Sequence, residues 1–269
     1  MAADDARAPV YEDLHANQLV GQEAQNRASA LRILPLLFER YRPASMLDVG
    51  CGLGTWLAVA GELGLADLQG VDGPWMNPAL SRFPVERLRA LDLEQPFDLG
   101  RRFDLVVCLE VAEHLSAQAA PAFVASLARH ADVVLFSAAI PHQGGHHHVN
   151  ERFPEYWRDL FGAEGYAAVD LLRPRLWDDE AVLPWLRQNL LVFARRELLQ
   201  AGGPFAGMEA KGPLALVHPA MYVSRMQELE ALSREHAMIM QHLLAGHSVS
   251  ASRGPDGALV LHAAAPARN

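Results

Sequence analysis

Cysteine is scarce in this sequence of 269 residues, which contains only Cys51 and Cys108. Both lie in apolar segments, so they argue against a disulfide framework or a zinc site and indicate buried thiols in a reducing compartment. Long hydrophobic runs are also missing, because the longest early apolar stretch, residues 31–38, is interrupted by Arg32 and Pro35. Neither a membrane-spanning helix nor a membrane partner is therefore expected.

Basic residues are in deficit, with 23 Lys and Arg against 32 Asp and Glu and a net charge of -9. A surface of this sign repels phosphate backbones, so duplex nucleic acid is not expected as a partner. The opening residues, MAADDARAPVYEDL, are acidic and lack an apolar run. No secretory signal peptide is expected there, and the prediction is a cytoplasmic protein.

Hydrophobic residues make up 51% of the chain, enough for a sizeable core. Short apolar runs predict seven strands, at residues 45–50, 68–71, 87–91, 103–109, 132–136, 166–171 and 190–194. Helical spacing of apolar residues predicts helices at residues 22–41, 55–65, 117–130, 153–162 and 219–244. Because helix-sized intervals separate the strands, we expect a mostly parallel, doubly wound sheet in an α/β fold.

The composition divides the chain into three regions. We expect an N-terminal arm and helix over residues 1–43, with residues 1–20 loose, and a main α/β domain over residues 44–200. Residues 201–269 are predicted to hold a linker rich in Gly and Pro, the helix at 219–244 and a disordered tail. The Met and Leu stripe of that helix is compatible with a homodimer or with packing on the domain.

A glycine-rich turn joins the first predicted strand to the following helix. Glycines at alternate positions permit a tight turn and close approach to a ligand, and the helix N-terminus adds backbone N–H groups. The spacing is Asp-x-Gly-x-Gly-x-Gly, not the Gly-x-Gly-x-x-Gly of dinucleotide-binding domains. The predicted cofactor-binding residues here are Asp48, Gly50, Cys51, Gly52, Gly54 and Thr55.

This turn resembles motif I of class I S-adenosylmethionine (SAM)-dependent methyltransferases, and the family's other motifs follow in order over residues 44–196. The resemblance implies a Rossmann-like, seven-stranded doubly wound sheet, mostly parallel with an antiparallel last strand, plus helical N- and C-terminal extensions. It places Asp72 and Gly73 at the ribose hydroxyls, Asp92 and Leu93 at the adenine, and Leu109 and Glu110 beneath the methionine moiety. The alternatives are a Rossmann domain for another nucleotide and a methyltransferase relic.

Acid and imidazole side chains follow the fourth and fifth predicted strands. Glu110, Glu113 and His114 come after the fourth strand, and the loop after the fifth strand contains His146, His147 and His148. In this topology both loops open on one crevice. Methyl transfer to a hydroxyl needs a group that removes the proton, so His148 and His114 are the predicted catalytic residues.

The Glu-x-x-Glu-His pattern also resembles the metal-ligand motif of ubiquinone-pathway O-methyltransferases and small-RNA 2′-O-methyltransferases. That resemblance implies a Mg²⁺ or Mn²⁺ ion held by Glu110, Glu113, His114 and His148, which would lower the pKa of a bound hydroxyl. The alternative is structural: Glu113 and His114 cap the next helix, and the loop histidines are solvated.

The expected reaction is O-methylation of a small hydroxylated acceptor, such as a sugar, a glycan end or a secondary metabolite. Residues 148–157, Trp177 and residues 184–189 resemble segments of bacterial methyltransferases that are found with glycan-building enzymes. That resemblance implies a pocket suited to a polyol and lined by Tyr156, Trp157, Trp185, Arg187, Gln188 and Asn189, with a core position as the alternative for Trp157. Three alternatives remain open. The first is metal-free N- or C-methylation of a small metabolite, and the second is RNA 2′-O-methylation, which the acidic net charge disfavours. The third is a non-catalytic subunit that only binds SAM.

Overall fold

The computed structural model describes residues 8–245, 248–253 and 259–264, which form two compact units divided between His218 and Pro219. The helices are α1 (Ala8–Phe38), α2 (Thr55–Glu62), α3 (Ala120–His130), α4 (Pro154–Ala163), α5 (Arg173–Leu176), α6 (Pro184–Asn189) and α7 (Pro219–Leu244). The strands are β1 (Ser45–Val49), β2 (Asp67–Asp72), β3 (Leu88–Ala90), β4 (Leu105–Leu109), β5 (Val133–Ser137), β6 (Tyr166–Val169), β7 (Leu191–Arg195), β8 (Ser248–Arg253) and β9 (Leu259–Ala264).

Seven strands form the central sheet of the first unit, in the order β3-β2-β1-β4-β5-β7-β6. The pairs from β3 to β5 are parallel, whereas β7 runs antiparallel to both β5 and β6. The predicted fold class is therefore confirmed, including the antiparallel last strand of the sheet. Continuous apolar runs form these strands because helices cover both faces of the sheet.

The strand order reverses beside β1, which pairs with β2 on one side and with β4 on the other. In doubly wound sheets, ligands bind outside the carboxyl ends of the strands at such a switch point. The loops after β1, β2 and β4 meet at this edge. The topology thus brings together the segments in which the sequence concentrates glycine, acid and imidazole side chains.

Two hydrophobic clusters hold the helices against the sheet. The first includes Ile33 of α1 and Leu57 of α2, and the second includes Phe123 of α3 and Phe161 of α4. Each fully buried side chain of this size contributes roughly 1.5–3 kcal/mol relative to exposure. Trp157 is buried in the second cluster at 2% exposure, so it is a core residue.

The ends of the chain are more regular than expected. α1 begins at Ala8, so the loose arm predicted for residues 1–20 is largely helical; residues 1–7 lie outside the described part. Strands β8 and β9 pair antiparallel, so the predicted disorder of the tail is wrong for their residues. Each strand contains a β-branched Val, Val249 in β8 and Val260 in β9, a residue type that favours strands. None of the described helices combines the length and hydropathy needed to cross a membrane.

The segment rich in Gly and Pro before α7 packs onto the first unit. Phe205 is fully buried, and the backbone N–H of Ala210 donates to the carbonyl of Ala168 at 2.8 Å. The buried guanidinium of Arg173 donates to the carbonyl of Leu214 at 2.7 Å. Residues 201–218 are therefore attached to the rest of the unit by these contacts, although their composition is typical of a linker. This segment is called the strap below.

Candidate active site

The turn between β1 and α2 takes left-handed backbone angles at alternate residues, with φ of 77° at Gly50, 52° at Gly52 and 76° at Gly54. Residues with a Cβ rarely adopt such angles. A Cβ on Gly50 would also lie 2.2 Å from Cγ2 of Val111 in the segment after β4. Glycine is therefore required both by the turn itself and by its close packing against the next crevice loop.

Two acidic residues flank this turn. The carboxylate of Asp72 accepts hydrogen bonds from the backbone N–H of Gly52 at 2.5 Å and of Gly73 at 2.6 Å. Asp48 is 3% exposed, and its Oδ2 has no hydrogen-bond partner among the described residues. Burial, assisted by the charge of Asp72, raises the pKa of Asp48 to about 8. Asp72 is thus hydrogen-bonded to the turn, whereas Asp48 retains an oxygen without a partner among the described residues.

The segment after β3 joins the same edge through Asp72, whose carbonyl accepts the backbone N–H of Leu91 at 2.8 Å. Leu93 is buried, whereas Asp92 is exposed and accepts the backbone N–H of Glu94 at 3.0 Å. Asp92 and Leu93 follow Leu91 directly in this segment.

The start of α2 is tied to α1. The hydroxyl of Thr55 donates to Glu23 at 2.6 Å. The thiol of Cys51 is buried in the core beneath the turn, and burial raises its pKa. The Cys51 side chain therefore has a packing role at this edge.

Glu110 follows Leu109 at the end of β4 and has a left-handed φ of 53°. Its backbone N–H donates to the carbonyl of Ser137 at 3.0 Å, and its carboxylate accepts Nε2 of Gln143 at 2.8 Å and Nδ2 of Asn189 at 3.1 Å. Burial raises the pKa of Glu110, and the hydrogen bonds from Asn189 and Gln143 oppose that rise. The side chain is thus held by amides from two other segments.

Glu113, His114 and His148 form one cluster, in which one ligand atom from each lies within 4.8 Å of the others. These are three of the four predicted metal ligands; Glu110 is outside the group. Glu113 is fully buried, and burial followed by the charge of Glu110 raises its pKa well above the usual range. The carbonyl of Glu113 accepts the backbone N–H of Val149 at 2.9 Å, which fixes one crevice loop to the other.

The carboxylate of Glu113 makes no hydrogen bond of good geometry among the described residues. The backbone N–H groups of Glu113 and Ala139 nevertheless oppose the rise in its pKa. The rings of His114 and His148 stand nearly perpendicular with centroids 4.9 Å apart. A buried acid beside two imidazoles suits either a cation or a shared proton.

Glu151 orients His148. Nδ1 of His148 donates to the Glu151 carboxylate at 2.9 Å, and the same carboxylate accepts the backbone N–H of His142 at 2.7 Å and of Gly144 at 2.9 Å. Burial opposes ionisation of Glu151, but these hydrogen bonds lower its pKa overall. A Cβ on Gly145 would lie 2.2 Å from Nε2 of His148, so this glycine makes room for the ring.

The sequence did not identify Glu151 and Gln143 as site residues. Glu151 could have been found from its position three residues after His148, and Gln143 from its place beside two glycines in the histidine-rich loop. His146 and His147, by contrast, are exposed. The three consecutive histidines are therefore not equivalent, and only the last of them enters the cluster.

A family model described as a methyltransferase domain matches residues 22–169, more than half of the 269 residues. The chain belongs to this methyltransferase family. The matched region of the methyltransferase runs from α1 to β6 and contains the glycine turn and the cluster of Glu113, His114 and His148. The class I SAM-dependent methyltransferase family predicted from the sequence is thus confirmed.

Solved structures share the fold of this methyltransferase. The sugar N-methyltransferase KedS8 from Streptoalloteichus sp ATCC 53650 is 23% identical, with a TM-score of 0.50 over 62% of this chain and 87% of that one. An O-methyltransferase family protein from Burkholderia thailandensis is 16% identical, with a TM-score of 0.50 over 72% and 61%. These identities establish the fold alone. A search of curated protein sequences finds no match.

Proposed function

We propose that this methyltransferase uses SAM to methylate a hydroxyl group of a small, hydroxylated acceptor such as a sugar or a glycan end. One observation carries the proposal. The His148 imidazole is hydrogen-bonded to Glu151 and lies beside His114 and the buried Glu113. A hydroxyl must lose its proton during methylation, and an oriented imidazole is suited to accept it.

The edge around the glycine turn fits SAM. The buried Asp48 carboxyl beside the turn retains an oxygen without a partner among the described residues. Asp72 would hold the ribose, Asp92 and Leu93 the adenine, and Leu109 would lie beneath the methionine moiety. SAM, when bound, supplies a methyl group activated by its sulfonium. The chain contributes the backbone that admits it and the acids that orient it.

His148 is the proposed general base. Because its Nδ1–H donates to Glu151, its Nε2 remains to accept the proton. The lowered pKa of Glu151 keeps that carboxylate charged, and the charge stabilises the imidazolium that forms. His114, whose ring stands edge-on at 4.9 Å, is the second candidate base.

The cluster also fits a divalent cation such as Mg²⁺ or Mn²⁺. A fully buried carboxylate without well-formed hydrogen bonds beside two imidazoles is a mixed oxygen and nitrogen donor set. Glu113, His114 and His148 would hold the ion, which would lower the pKa of a coordinated hydroxyl. A second candidate function is methylation without a metal, in which His148 alone accepts the proton. The hydrogen bond between His148 and Glu151 favours it, and an amine would then also be a suitable acceptor.

The test uses methyl-labelled SAM with separate sugars, nucleotide sugars, catechols, amines and short RNA. Each reaction is run with the wild type, His148→Ala, Glu113→Gln and, as a control, Glu164→Gln at an exposed site. We expect label in a hydroxylated acceptor, roughly 100-fold less with His148→Ala, and no change with Glu164→Gln.

Chelation separates the two mechanisms. Activity that is lost with EDTA and restored by Mn²⁺ would support the cation mechanism. Activity that is unchanged by EDTA would support His148 as a base that acts without a metal. Label found only in amines would contradict hydroxyl methylation. A wild type that binds SAM but transfers nothing to any hydroxylated acceptor would contradict the proposed function as a whole.

A further inference from the structure

A network of amide side chains surrounds Glu110 on the side of the crevice formed by α6 and the strap before α7. Gln188 and Asn189 at the end of α6 are buried, at 1% and 3% exposure, whereas Glu110 and Gln143 are partly exposed. Buried amides are costly unless their hydrogen bonds are satisfied. This network therefore positions the one charged group at its centre.

The direction of every amide in the network is fixed by a backbone donor. The backbone N–H of His218 donates to Oε1 of Gln188 at 2.9 Å, so Nε2 of Gln188 must be a donor, and it bonds Oδ1 of Asn189 at 3.0 Å. Nδ2 of Asn189 in turn donates to Oε1 of Gln143 at 2.9 Å and to Glu110 at 3.1 Å. Nε2 of Gln143 then donates to Glu110 at 2.8 Å.

Both oxygens of Glu110 are thus acceptors: Oε1 accepts Nδ2 of Asn189, and Oε2 accepts Nε2 of Gln143 and, at 3.5 Å, Nδ2 of Asn189. A carboxylate oxygen has two lone pairs, so the group retains capacity for further donors. The left-handed φ of 53° at Glu110 indicates backbone strain that the surroundings maintain, a feature found at functional sites. Glu110 accepts these amide hydrogen bonds and is not a member of the cluster of Glu113, His114 and His148.

We propose that Glu110 is a specificity residue that accepts a hydrogen bond from a hydroxyl of a polyhydroxylated acceptor, next to the hydroxyl that is methylated, and that it is not a cation ligand. This inference rests on the proposed function and deepens it. Gln143 and Asn189 position the carboxylate, and Gln188 and His218 fix the amides. An acceptor with a single hydroxyl would leave the Glu110 carboxylate without its ligand donor, at a cost in affinity.

The first test needs no acceptor. Mn²⁺ binding is measured by calorimetry for the wild type, Glu110→Gln, Glu113→Gln and the control Glu164→Gln. We expect Glu110→Gln to bind Mn²⁺ within about threefold of the wild type and Glu113→Gln to bind it at least about tenfold more weakly. Equal weakening by Glu110→Gln and Glu113→Gln would overturn the proposal, because Glu110 would then be a ligand.

The second test compares acceptors. After mass spectrometry locates the methylated hydroxyl, the sugar and its deoxy analogue, which lacks the neighbouring hydroxyl, are assayed with the wild type and Glu110→Gln. We expect the deoxy sugar to raise KM at least about tenfold in the wild type and to make little difference in Glu110→Gln. SAM affinity should be the same for both proteins, which separates specificity from folding.

Equal discrimination by the wild type and Glu110→Gln would overturn the Glu110 proposal while leaving the proposed function intact. A wild type that methylates no hydroxylated acceptor would overturn both. The two failures are therefore distinguishable from the wild-type arm alone.

Discussion

Asp48 and Glu151 are both acids of the crevice, yet their surroundings act on them in opposite directions. Asp48 is buried with an unpartnered oxygen and has a pKa raised to about 8, whereas Glu151 accepts three hydrogen bonds and has a lowered pKa. Desolvation disfavours the charged form and donated hydrogen bonds favour it. The surroundings therefore favour the protonated form of the Asp48 carboxyl and the charged form of the Glu151 carboxylate.

We expect Asp48→Asn to remove a pH dependence of stability. The unfolded chain releases the Asp48 proton near pH 4 and the folded protein retains it to about pH 8, so the wild type loses stability as the pH rises between these values. The slope from this group is at most about 1.4 kcal/mol per pH unit. Urea unfolding without SAM from pH 5.5 to 8 measures it. Parallel profiles for wild type and variant would contradict this, and the exposed Asp159→Asn serves as control.

Glu151→Gln is expected to lower kcat about 10- to 100-fold with little change in the KM for SAM. The amide retains an acceptor for Nδ1 of His148 but carries no charge to stabilise the imidazolium. Glu151→Asp should recover part of the activity, whereas Glu164→Gln should behave as wild type. Steady-state kinetics measures the effect; an unchanged kcat for Glu151→Gln would remove Glu151 from a positioning role.

At the scale of elements, the glycine turn and the loops after β4 and β5 are fixed to one another. Val111 packs over Gly50, and Val149 donates its N–H to the carbonyl of Glu113. Asp72 joins the same turn to the end of β2. Each contact joins loops that are distant in the chain, so the glycine turn and the loop of His148 are held in a fixed arrangement at one edge of the sheet.

Gly50→Ala is expected to destabilise the protein by at least about 1 kcal/mol and to weaken SAM binding, because it adds both left-handed strain and a clash with Val111. Gly61→Ala is the matched control within α2, since its Cβ would meet only Leu68 at 3.6 Å. That change should be neutral or stabilise by about 0.5–1 kcal/mol. Thermal unfolding and SAM calorimetry of both variants test this, and equal stabilities would contradict it.

At the scale of the whole molecule, the chain divides into the methyltransferase unit ending at His218 and a second unit of α7 with the β8–β9 hairpin. α7 has 26 residues, and none of its described side chains is buried. Its exposed large apolar side chains recur at spacings of three and four over Tyr222, Met226, Leu229 and Leu232, and again between Met240 and Leu243. Such a stripe is typical of a helix that packs against another helix.

We propose that this stripe of α7 mediates a homodimer. Light scattering should give about twice the chain mass of 29.5 kDa for the wild type. The double variant Met226→Glu with Leu229→Glu places two charges in the stripe, and its mass should be that of a monomer. Ser224→Glu with Gln227→Glu, exposed polar positions on the same helix, is the control. A monomeric wild type would contradict the proposal.

The sequence by itself determined the sheet and the location of the cofactor edge. Continuous apolar runs fix buried strands, and the alternate glycines after Asp48 are dictated by local backbone conformation, which a short segment specifies. Asp72 is the last residue of β2 and Asp92 lies two residues after β3, so both positions also follow from short local segments. The composition rich in Gly and Pro predicted a linker before α7. It did not reveal that Phe205 and Leu214, which glycines separate in the chain, are buried and attach the segment.

Only the tertiary structure decided which side chains share the crevice. Glu110 and Glu113 are three residues apart in one motif, yet amides from α6 and from the loop after β5 bind the first while imidazoles surround the second. Asn189 lies 79 residues from Glu110 in the chain, so no local pattern could reveal their hydrogen bond. Hydrogen bonding and desolvation depend on neighbours that the sheet brings together. The fold therefore gives Glu110 and Glu113 different surroundings although they belong to one motif.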